Sequence, residues 1–178
     1  MSVLGVGLDL VDVGSFARQL ALVGSTFAES TFTPGELVAA AGVAAAATTG
    51  AAVAETSETT PEWARARHLA ARFAAKEAFI KAWSMARVGR APALPAVQWR
   101  ELEVVADAWD RPVLHASGAT AEALAATLGA LDVNLSLTHD GPMAAAVVVL
   151  SVPLGAGAGA GAGPRVGSTA AAEPAVRP

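Results

Sequence analysis

The segment from Glu62 to Met85 constrains this 178-residue chain more than any other. Leu69, Phe73, Ile80 and Trp83 recur at helical spacing, which predicts one long helix with an apolar stripe. At ~100° per residue, Glu77 lies roughly 40° from Phe73, at the edge of that stripe, and Lys81 roughly 40° further out. Lys76 falls inside the stripe. A carboxylate and a lysine on or beside an apolar face need partners, because an unpaired charge is costly to desolvate. The charge balance is uneven as well. Between Arg65 and Arg90 lie 7 of the 12 basic residues and 1 of the 16 acids. That reads either as a solvated basic face or as a site for an anionic ligand or acidic partner.

Upstream, Val3 to Val13 alternates and predicts a strand. Leu4, Val6, Leu8 and Leu10 share one face, and Gly5, Gly7 and Asp9 the other. Two glycines beside an acid leave room above the sheet for something large. A short helix is expected from Ser15 to Leu22. Thr33, Pro34 and Glu36 carry the spacing of a capping box that opens another helix. Residues 38–61 are rich in Ala and Thr and read as a low-complexity insertion that begins as helix and ends as a loop. Downstream, strands are expected over Val97–Ala106, Val113–His115, Val133–Thr138 and Ala144–Val152, with a helix over Thr120–Leu128. The last two strands form a hairpin through His139-Asp140-Gly141-Pro142. Residues 154–178 begin with Gly-Ala repeats and are expected to be disordered. The pattern is α+β in a single domain over residues 1–153.

Composition removes several function classes. The chain has no Cys, which excludes disulfides, thiolate metal sites and a cysteine nucleophile. That composition suits a cytoplasmic protein. The net charge of −4 argues against nucleic acid as a partner. No stretch carries the bulky apolar residues of a membrane span. There is no Walker loop, and Gly5-Val6-Gly7 runs on into a strand rather than opening a helix, so it is no dinucleotide fingerprint.

Asp9 and Glu77 remain as a candidate pair. If they converge they form a hard-cation site of oxygen donors, with Lys76, Lys81 and Arg72 near enough for phosphate oxygens. The structural alternative has Asp9 ending its strand and Glu77 paired with Lys81 at i, i+4. His139, at a strand end after Ser136-Leu137-Thr138, is open to a structural or a catalytic role.

Five blocks in order resemble the holo-[acyl-carrier-protein] synthases of the 4′-phosphopantetheinyl transferase superfamily, in their actinobacterial form. They are Gly5-Val6-Gly7-Leu8-Asp9-Leu10-Val11-Asp12, Phe32-Thr33-Pro34-Gly35-Glu36, Arg72-Phe73-Ala74-Ala75-Lys76-Glu77-Ala78-Phe79-Ile80-Lys81-Ala82, Trp99-Arg100-Glu101-Leu102-Glu103-Val104 and Ser136-Leu137-Thr138-His139. The resemblance implies a homotrimer with active sites at subunit interfaces. It implies magnesium-dependent transfer of phosphopantetheine from coenzyme A to a serine of apo-acyl carrier protein, in fatty acid biosynthesis. It implies Asp9 and Glu77 as magnesium ligands and Lys81 and His139 as phosphate contacts, with Arg72 and Lys76 as further coenzyme A contacts. Glu77, directly or through water, would be the base, and Glu77, Lys81 and His139 the catalytic set. An inactive coenzyme A-binding module and an interaction protein are the alternatives. Two departures stand out: Asp110 occupies a turn position where the family often has glycine, and Ser15 replaces an arginine that faces the acidic carrier. Arg18, Arg65 and Arg67 are the cations available in its stead.

Overall fold

The computed structural model describes residues 2–50 and 60–154. The expectations for residues 51–59 and 155–178 lie outside the described residues. The chain runs β1 (Ser2–Asp12), α1 (Val13–Leu20), α2 (Phe27–Thr31), α3 (Pro34–Gly50), α4 (Pro61–Met85), a 3-10 turn at Trp99–Glu101, β2 (Leu102–Ala106), β3 (Pro112–Ala116), α5 (Gly118–Leu128), β4 (Asp132–Asp140) and β5 (Met143–Val152). Three antiparallel strands form one sheet in the order β1-β5-β4, and β2-β3 form a separate hairpin.

The long helix α4 lies across one face of the three-stranded sheet. Thr60 starts it, its hydroxyl accepting from Trp63 N at 3.1 Å, with Pro61 in the first turn. The face it presents to β1 is built of alanine rather than the expected stripe of large residues. Ala74, Ala75, Ala78 and Ala82 are fully buried. The reason lies in β1. A side chain at Gly7 would strike the Ala78 carbonyl, and one at Gly5 the Ala82 carbonyl. The space above the two glycines is thus filled by the protein's own helix backbone, packed closer than any residue with a Cβ allows.

The capping box forms as expected. Thr33 N donates to Glu36 Oε2 at 2.9 Å and Glu36 N donates to Thr33 Oγ1 at 3.2 Å. The low-complexity stretch begins inside α3, which packs on α4 with Ala40 fully buried. One strand expectation needs correction. Residues Val97–Ala106 do not form a single strand: Trp99–Glu101 is a 3-10 turn and pairing starts at Leu102. The break lets Glu101 turn toward α5, where its carboxylate accepts from Thr120 N at 2.7 Å and Ala119 N at 3.2 Å.

Candidate active site

Asp9 emerges from β1 on the side that faces α4, and Glu77 emerges from α4 toward it. Both line one cavity of about 370 Å³ with Asp12, Ser15, Gln19 and Phe73. Helix α1 supplies the remaining wall. Asp12 starts that helix by accepting from Ser15 N at 2.7 Å. Phe16 seats it, with ring centroids 5.6 Å from both Phe27 and Phe73. Lys81 does not pair with Glu77, as the structural alternative has it. Its ammonium donates to Asp9 Oδ1 at 2.7 Å and to the Leu8 carbonyl at 3.3 Å. Glu77 is half-buried, and that burial, with Asp9 as a second anion, pushes its carboxyl above the usual carboxylate range, against the pull of Lys81. Among the described residues no three acidic or histidine side chains gather as metal ligands. Two carboxylates without sulfur or imidazole fit magnesium, which takes one or two protein carboxylates and completes its shell with water and phosphate.

Arg72 and His139 meet elsewhere. They line a second cavity, about 450 Å³, with Arg67, His68, Asp110 and Thr138. Arg72 lies five residues before Glu77, about 140° around the helix. His139 projects from β4, the opposite edge of the sheet from β1. Helix α4 therefore stands between the Asp9–Glu77 cavity and the Arg72–His139 cavity. Within the second cavity, the Arg72 Nε and His68 Nε2 atoms are buried without a hydrogen-bond partner. Burial, reinforced by the neighbouring Arg72 charge, holds His68 down at about 4, so its ring is neutral at pH 7. Burial likewise lowers Arg72, against the pull of Glu36. A cavity walled by cations with two unmet N–H or ring-nitrogen positions suits an anionic ligand.

Lys76 reaches neither cavity. It is fully buried, and its ammonium donates to Glu36 Oε2 and the Thr31 carbonyl at 2.7 Å each and to the Trp99 carbonyl at 3.2 Å. Glu36 in turn accepts from Val104 N at 3.0 Å. All three ammonium protons are committed inside the protein, so contact with a ligand would require dismantling the network. Sequence reasoning did not find His68, whose position one turn before Arg72 was the available sign. Nor did it find Glu36 as the Lys76 partner, because the capping box already explained that residue.

Residues 5–137 match the family model described as the 4′-phosphopantetheinyl transferase superfamily. The chain is 44% identical over 153 residues to the holo-[acyl-carrier-protein] synthase of Mycobacterium tuberculosis strain H37Rv, covering 86% of this chain and all of that protein. The "Chronobacterium ammoniagenes" ACPS–CoA complex superposes with a TM-score of 0.70 at 39% identity, covering 84% of this chain and 97% of that one. The Mycobacterium tuberculosis acyl carrier protein synthase structure gives a TM-score of 0.59 at 40% identity, covering 85% and 99%. With a matching family model over most of its length and relatives aligned end to end, the chain belongs to the 4′-phosphopantetheinyl transferase superfamily.

Proposed function

We propose that the protein moves 4′-phosphopantetheine from coenzyme A to a serine of apo-acyl carrier protein, with magnesium held by Asp9 and Glu77. The observation that carries this reading is the convergence of Asp9 and Glu77 in one cavity with Lys81 at its rim. Similar proteins bear the holo-[acyl-carrier-protein] synthase name, and the "Chronobacterium ammoniagenes" ACPS structure is a complex with CoA.

A bound magnesium ion would supply Lewis-acid stabilisation of charge on the diphosphate. The chain's own groups do the rest. Glu77, with its raised basicity, accepts the serine proton, directly or through a water. The serine oxygen bonds to the β-phosphorus as the phosphorus–oxygen bond to the α-phosphate breaks. Adenosine 3′,5′-bisphosphate leaves. Lys81 holds the Asp9 carboxylate in place through their 2.7 Å ion pair and meets the charge that grows on phosphate oxygens. Arg72 and His139 bind the nucleotide end of coenzyme A in the larger cavity. Arg18, exposed on α1 beside the Asp9–Glu77 cavity, is the cation best sited for the acidic carrier.

A homotrimer completes this arrangement. The two half-sites lie on opposite sides of α4, so a site uniting them draws on neighbouring subunits. The outer face of β1 supports the same reading, since Val6, Leu8 and Leu10 are 51%, 60% and 58% exposed. The compartment we propose is the cytoplasm, in fatty acid biosynthesis; among the described residues no helix is long and apolar enough to cross a membrane.

The test is a carrier-loading reaction with apo-carrier, coenzyme A and magnesium, followed by weighing the carrier. One phosphopantetheine of added mass is expected. Asp9→Ala and Glu77→Ala should each abolish the gain while circular dichroism stays unchanged. A carrier of unchanged mass with wild-type enzyme sinks the proposal.

A further inference from the structure

The β2–β3 turn carries a side chain that the turn itself does not use. Asp107 holds that turn. Its carboxylate accepts from Trp109 N at 2.8 Å, Arg111 N at 3.0 Å and Arg111 Nε at 2.7 Å, and it pairs with the Arg111 guanidinium at 2.6 Å. Arg111 also stacks over the Trp109 ring, 4.8 Å from its centroid, so it is committed away from Asp110. Asp110 contributes only its backbone, N donating to the Asp107 carbonyl at 3.1 Å. Its φ is +60°, and it is the only non-glycine residue with positive φ among those described. Glycine would occupy this position with less strain. The Asp110 carboxylate makes no hydrogen bond or ion pair with any described residue, yet it lines the 450 Å³ cavity. Asp110 is exposed, so its carboxylate is free to meet a ligand, and its place on the cavity wall, in a backbone conformation that favours glycine, points to a binding role.

The cavity is polarised. Helix α4 and β4 give it Arg67, His68, Arg72 and His139, whereas the hairpin gives it Val105, Ala106, Pro112 and one acid, Asp110. A ligand that fits must be anionic toward the helix, flat and apolar toward the hairpin, and able to donate a hydrogen bond at the hairpin end. An adenine nucleotide carrying a ribose phosphate has that pattern. Its phosphate meets the cations. Its base lies against Val105 and Pro112, and its exocyclic amine is the donor. A ribose hydroxyl is a poorer partner for Asp110, because it would bring the carboxylate beside the 3′-phosphate, where two anions repel.

We infer that Asp110 is a specificity-determining residue whose carboxylate accepts a hydrogen bond from the adenine amine of the donor substrate. This rests on the reading that the cavity takes the nucleotide end of coenzyme A. Carboxylates accept from exocyclic base amines in the same way elsewhere.

The experiment is calorimetric titration of the full chain with adenosine 3′,5′-bisphosphate and with its inosine counterpart, in which a carbonyl replaces the amine. Wild-type protein should prefer the adenosine form by about tenfold or more, the worth of one charged hydrogen bond. Asp110→Gly suits the backbone at this φ and should fold normally. It should bind the two ligands within about twofold of each other, through loss of affinity for the adenosine form. Asp110→Asn, whose amide can donate to the inosine carbonyl, should narrow the preference and improve inosine binding. If Asp110→Gly keeps the preference, or binds the adenosine form more tightly, the carboxylate merely repels the ligand and the inference is overturned. Wild-type protein that binds both forms equally also overturns it while leaving the coenzyme A reading intact. Wild-type protein that binds neither removes the coenzyme A reading, and this inference with it.

Discussion

Two charged residues on α4 show how burial decides what a side chain can do. Lys76 and Glu77 are neighbours in sequence, yet Lys76 is sealed in the core and Glu77 opens onto a cavity. The Lys76–Glu36 pair, 2.7 Å apart and without solvent exposure, ties α4 to the start of α3 and to the strand at Val104. Burial lowers the Lys76 ammonium, and the Glu36 charge offsets that cost. Lys76→Met leaves Glu36 buried without its counter-ion and should cost about 3–5 kcal/mol in urea unfolding. The double change Lys76→Met with Glu36→Gln removes both charges and should recover part of that loss, because an amide still accepts from Val104 N. A double variant no more stable than Lys76→Met alone would argue against the pair as the source of the cost. His68 gives a second residue-scale test. Its folded value is about 4 against an ordinary 6.5. Between those values the unfolded chain binds the proton and the folded chain does not, so stability contributed by His68 is lost as pH falls from about 6.5 to 4. Below that window both states are protonated and the contribution is flat. The urea midpoint of wild type should therefore fall relative to that of His68→Gln as pH drops from about 6.5 to 4, with the change confined to this window.

At the scale of elements, the sequence was most legible where a rule was local. The capping box at Thr33–Glu36 and the β4–β5 hairpin follow from short-range chemistry, and both form, whereas α1, expected over Ser15–Leu22, starts earlier, at Val13, because Asp12 caps it. Less legible was what α4 packs against. Its large apolar residues suggested the buried stripe, but alanines make the closest approach, and only the pairing of Gly5 and Gly7 with Ala82 and Ala78 explains why. That match is non-local, joining residues more than seventy positions apart. The candidate site was legible in part for the same reason. Asp9 and Glu77 converge because these glycines bring β1 and α4 together, whereas Arg72 and His139 belong to a cavity that four further elements, α3, β2, β3 and β4, help to line. Gly7→Ala tests the geometry directly. Its Cβ has no space beneath the Ala78 carbonyl, so strand and helix must separate, at a cost of about 1–3 kcal/mol or more. Chemical denaturation should show that loss, and carrier loading should fall more than stability alone accounts for, since Asp9 and Glu77 move apart. Ala at this position with wild-type stability would mean that the contact is looser than described.

For the whole molecule, the arrangement of half-sites makes a claim about assembly. Asp9 and Glu77 lie by one edge of the sheet, Arg72 and His139 by the other, and α4 fills the space between. Meanwhile β1 turns Val6, Leu8 and Leu10 outward on the face that α4 does not cover. In an antiparallel sheet with one solvated face, alternation places polar residues there. These three are apolar, as in an interface between copies. A heterologous ring of three would let each subunit offer its metal half to one neighbour and its nucleotide half to the other. Mixing therefore tests assembly and catalysis together. Asp9→Ala protein retains only the nucleotide half, and Arg72→Ala protein only the metal half, so each alone should be inactive. Unfolded and refolded together in equal amounts, they should regain activity, because about a quarter of the interfaces in randomly assembled rings join two intact halves. Leu8→Lys, which sets a charge in the outward apolar face, should lower the assembled mass in light scattering and reduce loading in parallel. Should the mixture stay inactive while wild-type protein refolds to full activity, both halves of the site would have to come from one chain, and the separation across α4 would need another explanation.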